Sequence, residues 1–147
     1  MIPFDLYAEK RARAAASVQA LGSVRSEGLS LEKSTSNLFR HREGSAGFRL
    51  DLREFRHVIR VDEQRRTAEA EALTTYEELV RETLPFQLMP AVVPQLKSIT
   101  VGGAIAGIGI ESSSFRYGFV HETMRELDVL LPDGRVVTAT ADNDHCE

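Results

Sequence analysis

The stretch ITVGGAIAGIGIESSSFRYG, residues 99–118, carries five glycines and three successive serines within twenty residues. We call it the glycine segment. Glycine has no side chain beyond Cα, so its N–H can approach a ligand phosphate closely. A helical turn beginning after Ser98 or Thr100 would direct its positive end at the same anion. The pattern predicts bare N–H groups at Gly102 and Gly103, although tight turns and close packing would require the same glycines.

Two common nucleotide motifs fit the glycine segment poorly. Gly102 and Gly107 have the spacing of a P-loop, but Ile108 and Gly109 stand where that motif needs Lys and Ser or Thr. A dinucleotide fingerprint would start at Gly107, yet Ser112 replaces its third glycine and no helical pattern follows. The segment therefore favours a different pyrophosphate cradle, if it binds a nucleotide at all.

The composition excludes several functions. The chain has 147 residues with 18 Lys and Arg against 22 Asp and Glu, so its formal net charge is -4 and nucleic acid is an unfavourable partner. Its single cysteine, Cys146, forms no internal disulfide. The histidines have no metal-ligand spacing, so no metal site is predicted; they are His41, His57, His121 and His145. No apolar run approaches the length of a membrane span, which favours a cytoplasmic protein.

The hydrophobic pattern predicts an α+β fold. Residues 5–26 have the three- and four-residue periodicity of an amphipathic helix. Alternation at residues 48–52 and 67–73 and the β-branched run at 58–61 indicate consecutive strands of one small sheet. The acidic residues of the last strand and of the following helix are predicted to be solvated, without a chemical role: Glu69, Glu71, Glu77 and Glu78.

Turn and cap residues define the other elements. Thr75 and Glu78 form a capping-box pattern that predicts a helix through Thr83, which Pro85 should end. Proline also makes residues 86–93 a loop or a short extended piece. Pro132, Asp133 and Gly134 predict a hairpin between runs at residues 123–131 and 135–140. Only a polar tail follows, so we expect the chain to be the front part of a longer protein.

Beyond these patterns, TVGGAIAGIGIESSSFRYG resembles the flavin-binding core of FAD-linked oxidases of the vanillyl-alcohol oxidase type. Within them it is most similar to the delta(24)-sterol reductase group and its bacterial relatives. The likeness continues in LLPDGRVVTAT downstream and in KSTSNLFR, TTYEELVRETLPFQLMPAVVP and PQLKSITVGG upstream. It covers residues 33–140, and a run as long as GIESSSFRYG is far more specific than a bare GxG.

The resemblance implies an FAD-binding PCMH-type domain built from two small α/β subdomains. Residues 1–30 would be an N-terminal helix, and residues 31–147 an incomplete FAD-binding domain. The later flavin-binding segment and the C-terminal substrate domain of the family would lie outside it. Catalytic residues are therefore not assigned, and the fragment is expected to be inactive alone.

The resemblance also implies a set of FAD-binding residues. One group would surround the pyrophosphate and ribityl chain: Thr100, Val101, Gly102, Gly103, Ala104, Ile105, Ala106, Gly107, Ile108, Gly109, Ile110, Glu111, Ser112 and Ser113. A second would come from an upstream loop, which could equally be a plain polar surface loop: Ser34, Thr35, Ser36 and Asn37. Glu111 could orient a backbone amide or the flavin edge, or be solvated, while Tyr117 could stack near the flavin or simply pack.

The implied activity is that of an FAD-dependent oxidoreductase. Its substrate would be a C=C bond of a sterol-like or isoprenoid lipid, with NADPH a candidate electron donor. An FAD-dependent sugar or alcohol oxidase is an alternative, and so is a fold remnant that binds no flavin. No histidine lies in the glycine segment to attach a flavin, so the FAD is expected to be non-covalent.

Overall fold

A computed structural model of the chain describes residues 1–22, 29–33 and 47–143. Its α-helices are α1 (Phe4–Ala20), α2 (Tyr76–Thr83), α3 (Val101–Ala106) and α4 (Ser114–Tyr117). Its strands are β1 (Leu29–Glu32), β2 (Phe48–Asp51), β3 (Val58–Asp62), β4 (Thr67–Ala70), β5 (Glu126–Leu130) and β6 (Val136–Thr140). Short 3-10 turns occupy Leu84–Phe86 and His121–Thr123. This mixture of helices and strands confirms the α+β prediction.

The chain divides into two compact units. The first contains Met1–Tyr7 and Glu54–Met124, and the second contains Ala8–Arg53 and Arg125–Glu147. The glycine segment lies wholly within the first unit. Helix α1 begins in the first unit and continues in the second.

The strands form pairs rather than the predicted single sheet. Strands β1 and β2 are parallel, whereas β3 with β4 and β5 with β6 are antiparallel pairs. The prediction that residues 48–52, 58–61 and 67–73 share one sheet was therefore wrong. Strand β1 was not predicted, because its sequence LSLE is only four residues long and gives little periodicity to read.

In the second unit, helix α1 packs beside the β5–β6 hairpin. The Arg11 guanidinium lies 2.7 Å from the Asp128 carboxylate of β5. Gly134 has a φ of 83°, as the predicted turn requires, and it lies directly against the side chain of Gln19. The helix ends at Ala20, where Leu21 N–H donates to Val18 O in a tighter turn. Residues 23–26 of the predicted helix lie outside the described residues.

The first unit holds the core beneath the glycine segment. Helix α2 has the predicted capping box, in which Glu78 N–H donates to Thr75 Oγ1 and the Glu78 carboxylate accepts from Thr75 N–H. The α-helix ends at Thr83 as predicted, and a short 3-10 turn that contains Pro85 follows it to Phe86. The buried core comprises Val58, Tyr76, Leu79, Val92, Val101, Ala104 and Val120.

Within the described ranges, no helix is both long and apolar enough to cross a membrane.

Candidate functional site

The first part of the glycine segment is the helix α3, which Thr100 caps. Thr100 has extended backbone angles, and its Oγ1 accepts a hydrogen bond from Gly103 N–H at 3.2 Å. This confirms the prediction of a capped helical turn inside the glycine segment. We call residues 100–106 the helical half and residues 107–118 the turn half of the segment.

The N–H groups of the helical half are engaged by the protein itself. Val101 N–H donates to Thr74 O at 2.9 Å, and Gly102 N–H donates to Ala72 O at 2.8 Å. Since Gly103 N–H is bonded to Thr100, the prediction of bare N–H groups at Gly102 and Gly103 was wrong. A Cβ on Gly102 would lie 3.0 Å from both Cβ and O of Ala72, so this glycine permits close packing.

The starts of helices α2 and α3 are fixed to each other. Thr75 and Thr100, their two capping residues, form an isolated antiparallel bridge. Tyr76 N–H donates to Ile99 O at 3.0 Å across it. The Tyr76 ring is buried beneath the bridge, and this burial raises the pKa of its phenol. The helical half is thus held by main-chain bonds on one side and by the core below.

A buried carboxylate that was not predicted lies next to the residues that anchor α3. Glu71 was predicted to be solvated, but it is only 2% exposed. Its carboxylate accepts a hydrogen bond from His57 N–H at 2.9 Å and lies 3.1 Å from His57 Nδ1. Strand β4 ends at Ala70, so the alternation of the strand no longer determines where Glu71 points. The next residues, Ala72 and Thr74, are the ones whose carbonyls anchor α3.

The turn half starts with a compact reversal. Gly109 N–H donates to Ala104 O at 2.8 Å, and Val120 N–H donates to Gly109 O at 3.0 Å. Ile108 between them has a φ of 51°, a left-handed angle that is unusual for a branched side chain. The reversal leads into helix α4, which has only four residues and was not predicted.

The three serines of the turn half have different environments. Ser113 Oγ donates to Ala91 O at 3.0 Å, and Ser114 Oγ accepts from Glu111 N–H at 3.0 Å. Ser112 is exposed, and neither its hydroxyl nor its N–H has a partner in the part of the chain that the structure describes. Ile110 N–H is likewise unpaired there. Ser113 N–H also has no partner among the described residues, so the unengaged main-chain donors of the turn half include those of Ile110, Ser112 and Ser113.

Large apolar side chains surround these donors. Ile108 is 59% exposed, Ile110 is 65% exposed and Phe115 is 91% exposed. Tyr117 is half exposed, with the Arg116 guanidinium 5.4 Å from its ring centroid, so it does not pack into the core. Exposed apolar side chains clustered in one short segment are typical of a surface that another group covers.

The structure separates the predicted site residues into three sets. Val101 and Ala104 belong to the core, and Ile105 packs against it. Ala106, Gly107, Ile108, Ile110 and Ser112 are exposed, whereas Gly109, Glu111 and Ser113 are half-buried. Ser34, Thr35, Ser36 and Asn37 lie outside the described residues. The sequence did not indicate Ala72, Thr74, Ala91 or Gln95, because they act through main-chain atoms that any residue possesses.

Residues 13–140 match the family described as FAD binding domain, and the chain belongs to this family. FAD is accordingly its cofactor. The chain is 40% identical over 100 residues to a delta(24)-sterol reductase of Pisum sativum, which covers 68% of the chain and 18% of that relative. The delta(24)-sterol reductase of Homo sapiens is 32% identical over 83 residues, 56% of the chain and 16% of the relative. The chain thus spans less than a fifth of these proteins.

A cytokinin dehydrogenase of Oryza sativa is also similar, with 36% identity over 67 residues. That match covers 46% of the chain and 13% of the relative.

The turn half has the chemistry that FAD requires of a protein. Among residues 1–22, 29–33 and 47–143, the N–H groups of Ile110 and Ser112 and the Ser112 hydroxyl have no acceptor, and a pyrophosphate offers acceptor oxygens. The exposed side chains of Ile108 and Ile110 could cover an apolar ring system. The residues present therefore fit the cofactor, with the turn half more suitable than the helical half.

Proposed function

We propose that this chain is the FAD-binding part of a flavin-dependent oxidoreductase of the delta(24)-sterol reductase type. Its reaction is the reduction of a C=C bond in a sterol-like or isoprenoid lipid, with NADPH as a candidate donor. The family match supports the cofactor, and the names of the similar proteins support the substrate class. Residues 31–147 are proposed as a PCMH-type domain preceded by an N-terminal helix.

The observation that carries this proposal is the set of unengaged donors in the turn half. A bound flavin supplies hydride transfer, while the protein supplies binding and orientation. Ser112 and Ile110 would donate to the FAD phosphates, and Ile108 would cover apolar parts of the cofactor. The helical half, from Thr100 to Ala106, would support this surface from below. Ser34, Thr35, Ser36 and Asn37 remain a proposed second donor set.

A titration of the purified chain with FAD, followed by flavin fluorescence, tests the proposal. Ser112→Ala removes an unengaged hydroxyl, so we expect FAD binding about threefold to tenfold weaker, the equivalent of one hydrogen bond. Its melting temperature should stay at the wild-type value, because the hydroxyl has no partner among the residues that the structure describes. Ser114→Ala removes the hydroxyl that accepts from Glu111 N–H, so it should lower the melting temperature as well as FAD affinity, and the contrast separates a donor to FAD from a residue that holds the turn. A folded wild-type chain that binds no FAD would contradict the proposal.

The mode of attachment is a separate proposal. The glycine segment contains neither histidine nor cysteine, the residues that could bind flavin covalently there. We expect acid precipitation of the FAD-loaded chain to leave all yellow colour in the supernatant. Colour retained in the washed pellet would indicate covalent attachment elsewhere in the chain.

A further inference from the structure

We infer that Glu111 is a positioning residue, whose carboxylate holds the turn half in the shape that presents the Ser112 donors to the cofactor. The inference rests on the proposed FAD binding and adds a residue that acts without touching FAD. Glu111 immediately precedes Ser112, so any displacement of its backbone moves those donors directly.

Hydrogen bonds restrain Glu111 from two directions. Its Oε1 accepts from Gln95 N–H at 3.2 Å, which ties it to a segment sixteen residues earlier. Its own N–H donates to Ser114 Oγ at 3.0 Å, and its carbonyl accepts from Ser114 N–H at 2.9 Å. Ser112 and Ser113 therefore lie within a small closed turn that the Glu111 side chain fastens to Gln95.

The segment that receives this bond is anchored in the core. Val92 is 2% exposed, and Pro94, also buried, fixes its own φ. Lys97 O accepts from Glu77 N–H at 3.1 Å, which joins the end of the segment to helix α2. The bond from Glu111 to Gln95 therefore attaches the exposed turn to a segment that the core holds in place, and it restrains the backbone of the turn.

In the described part of the chain, only one other side-chain hydrogen bond joins residues 110–114 to residues 91–95. It is the bond from Ser113 Oγ to Ala91 O. Without the Glu111 carboxylate, residues 110–114 would keep only this side-chain link to residues 91–95 and regain backbone freedom, which binding would have to remove again.

The role of Glu111 depends on an acceptor oxygen and not on charge. A carboxylate facing a phosphate would repel it, whereas a carboxylate directed at Gln95 N–H satisfies a main-chain donor. The amide oxygen of glutamine can accept the same bond at nearly the same length. Glu111→Gln should therefore keep the tether, and Glu111→Ala should remove it.

The experiment compares Glu111→Ala, Glu111→Gln and the control Glu63→Ala, an exposed glutamate in the β3–β4 turn. Amide hydrogen exchange by NMR is measured at residues 95 and 110–114 without FAD, and FAD affinity is measured by titration. We expect Glu111→Ala to speed exchange of the Gln95 amide and weaken FAD binding about fivefold, in the range of one hydrogen bond. The FAD affinities of Glu111→Gln and Glu63→Ala should stay within about twofold of the wild-type affinity, because neither change removes a hydrogen bond that positions the turn.

Four results would overturn the inference. If Glu111→Gln were as impaired as Glu111→Ala, the charge and not the tether would matter. If exchange rose in Glu111→Ala while FAD affinity stayed the same, Glu111 would be structural without positioning the cofactor site. A wild-type chain without FAD affinity overturns the proposed function and this inference together, whereas a binding wild type with unaffected variants overturns the inference alone.

Discussion

The two halves of the glycine segment use glycine for different purposes. In the helical half, Gly102 lets the main chain approach Ala72, and the N–H groups are bonded to protein atoms. In the turn half, the chain reverses at Gly109, and the donors of Ile110 and Ser112 have no partner among the described residues. A glycine-rich sequence can thus combine a structural support with a binding surface, and the hydrogen-bond partners distinguish the two.

The largest loss of stability should come from adding a side chain at Gly102, where the helical half contacts Ala72. Gly102→Val places a branched side chain against Ala72, and such overpacking costs about 1–3 kcal/mol of the free energy of unfolding. Urea denaturation of the chain measures this loss. Gly102→Ala is the graded control, because the helix propensity of alanine offsets the clash by up to about 1 kcal/mol. A Gly102→Val variant as stable as the wild type would show that the contact with Ala72 is not tight.

Within the glycine segment, removal of the Thr100 cap of helix α3 should cause the next largest loss of stability. Thr100→Ala removes the acceptor of Gly103 N–H and should lower the free energy of unfolding by about 1 kcal/mol. Thr100→Ser keeps a hydroxyl at the same position and should recover most of this stability. Equal denaturation midpoints for the two variants would mean that the methyl group of Thr100, and not its cap, stabilises the helix.

The smallest effect on stability is expected in the turn half. Phe115 is 91% exposed, so Phe115→Ser should change the free energy of unfolding by less than about 0.5 kcal/mol. Val120, which is fully buried, gives the contrast: Val120→Ala should cost about 2 kcal/mol through lost burial and a cavity. Thermal unfolding of both variants checks the pair. A large loss for Phe115→Ser would mean that the turn half also supports the fold.

Local signals predicted much of the fold. The capping box at Thr75, the cap at Thr100 and the turn at Gly134 are formed within a few residues, so neighbouring sequence is enough to specify them. The same holds for strands β3, β4, β5 and β6, whose runs of strand-forming residues were visible in the sequence. Strand pairing was predicted less well. Strand β2 pairs with β1, which lies far from it in sequence, and not with its neighbour β3.

The candidate site was predicted as a segment but not as an arrangement. The sequence indicated where the glycines and serines lie, and it indicated FAD through the likeness of GIESSSFRYG to its family. It could not indicate that Gly102 N–H donates to Ala72 O, or that Glu71 is buried beside His57. Those facts depend on which stretches meet in space, which no short window of sequence contains.

The sequence by itself thus determined the helix caps, the hairpin turns, the α+β class and the family. Tertiary structure alone decided which N–H groups remain available and which serine hydroxyl is unengaged. The physical reason is that a donor is satisfied by whatever acceptor lies within about 3 Å, regardless of its distance along the chain. Ser112, Ser113 and Ser114 have the same side chain, and only the atoms around each one give it a different role.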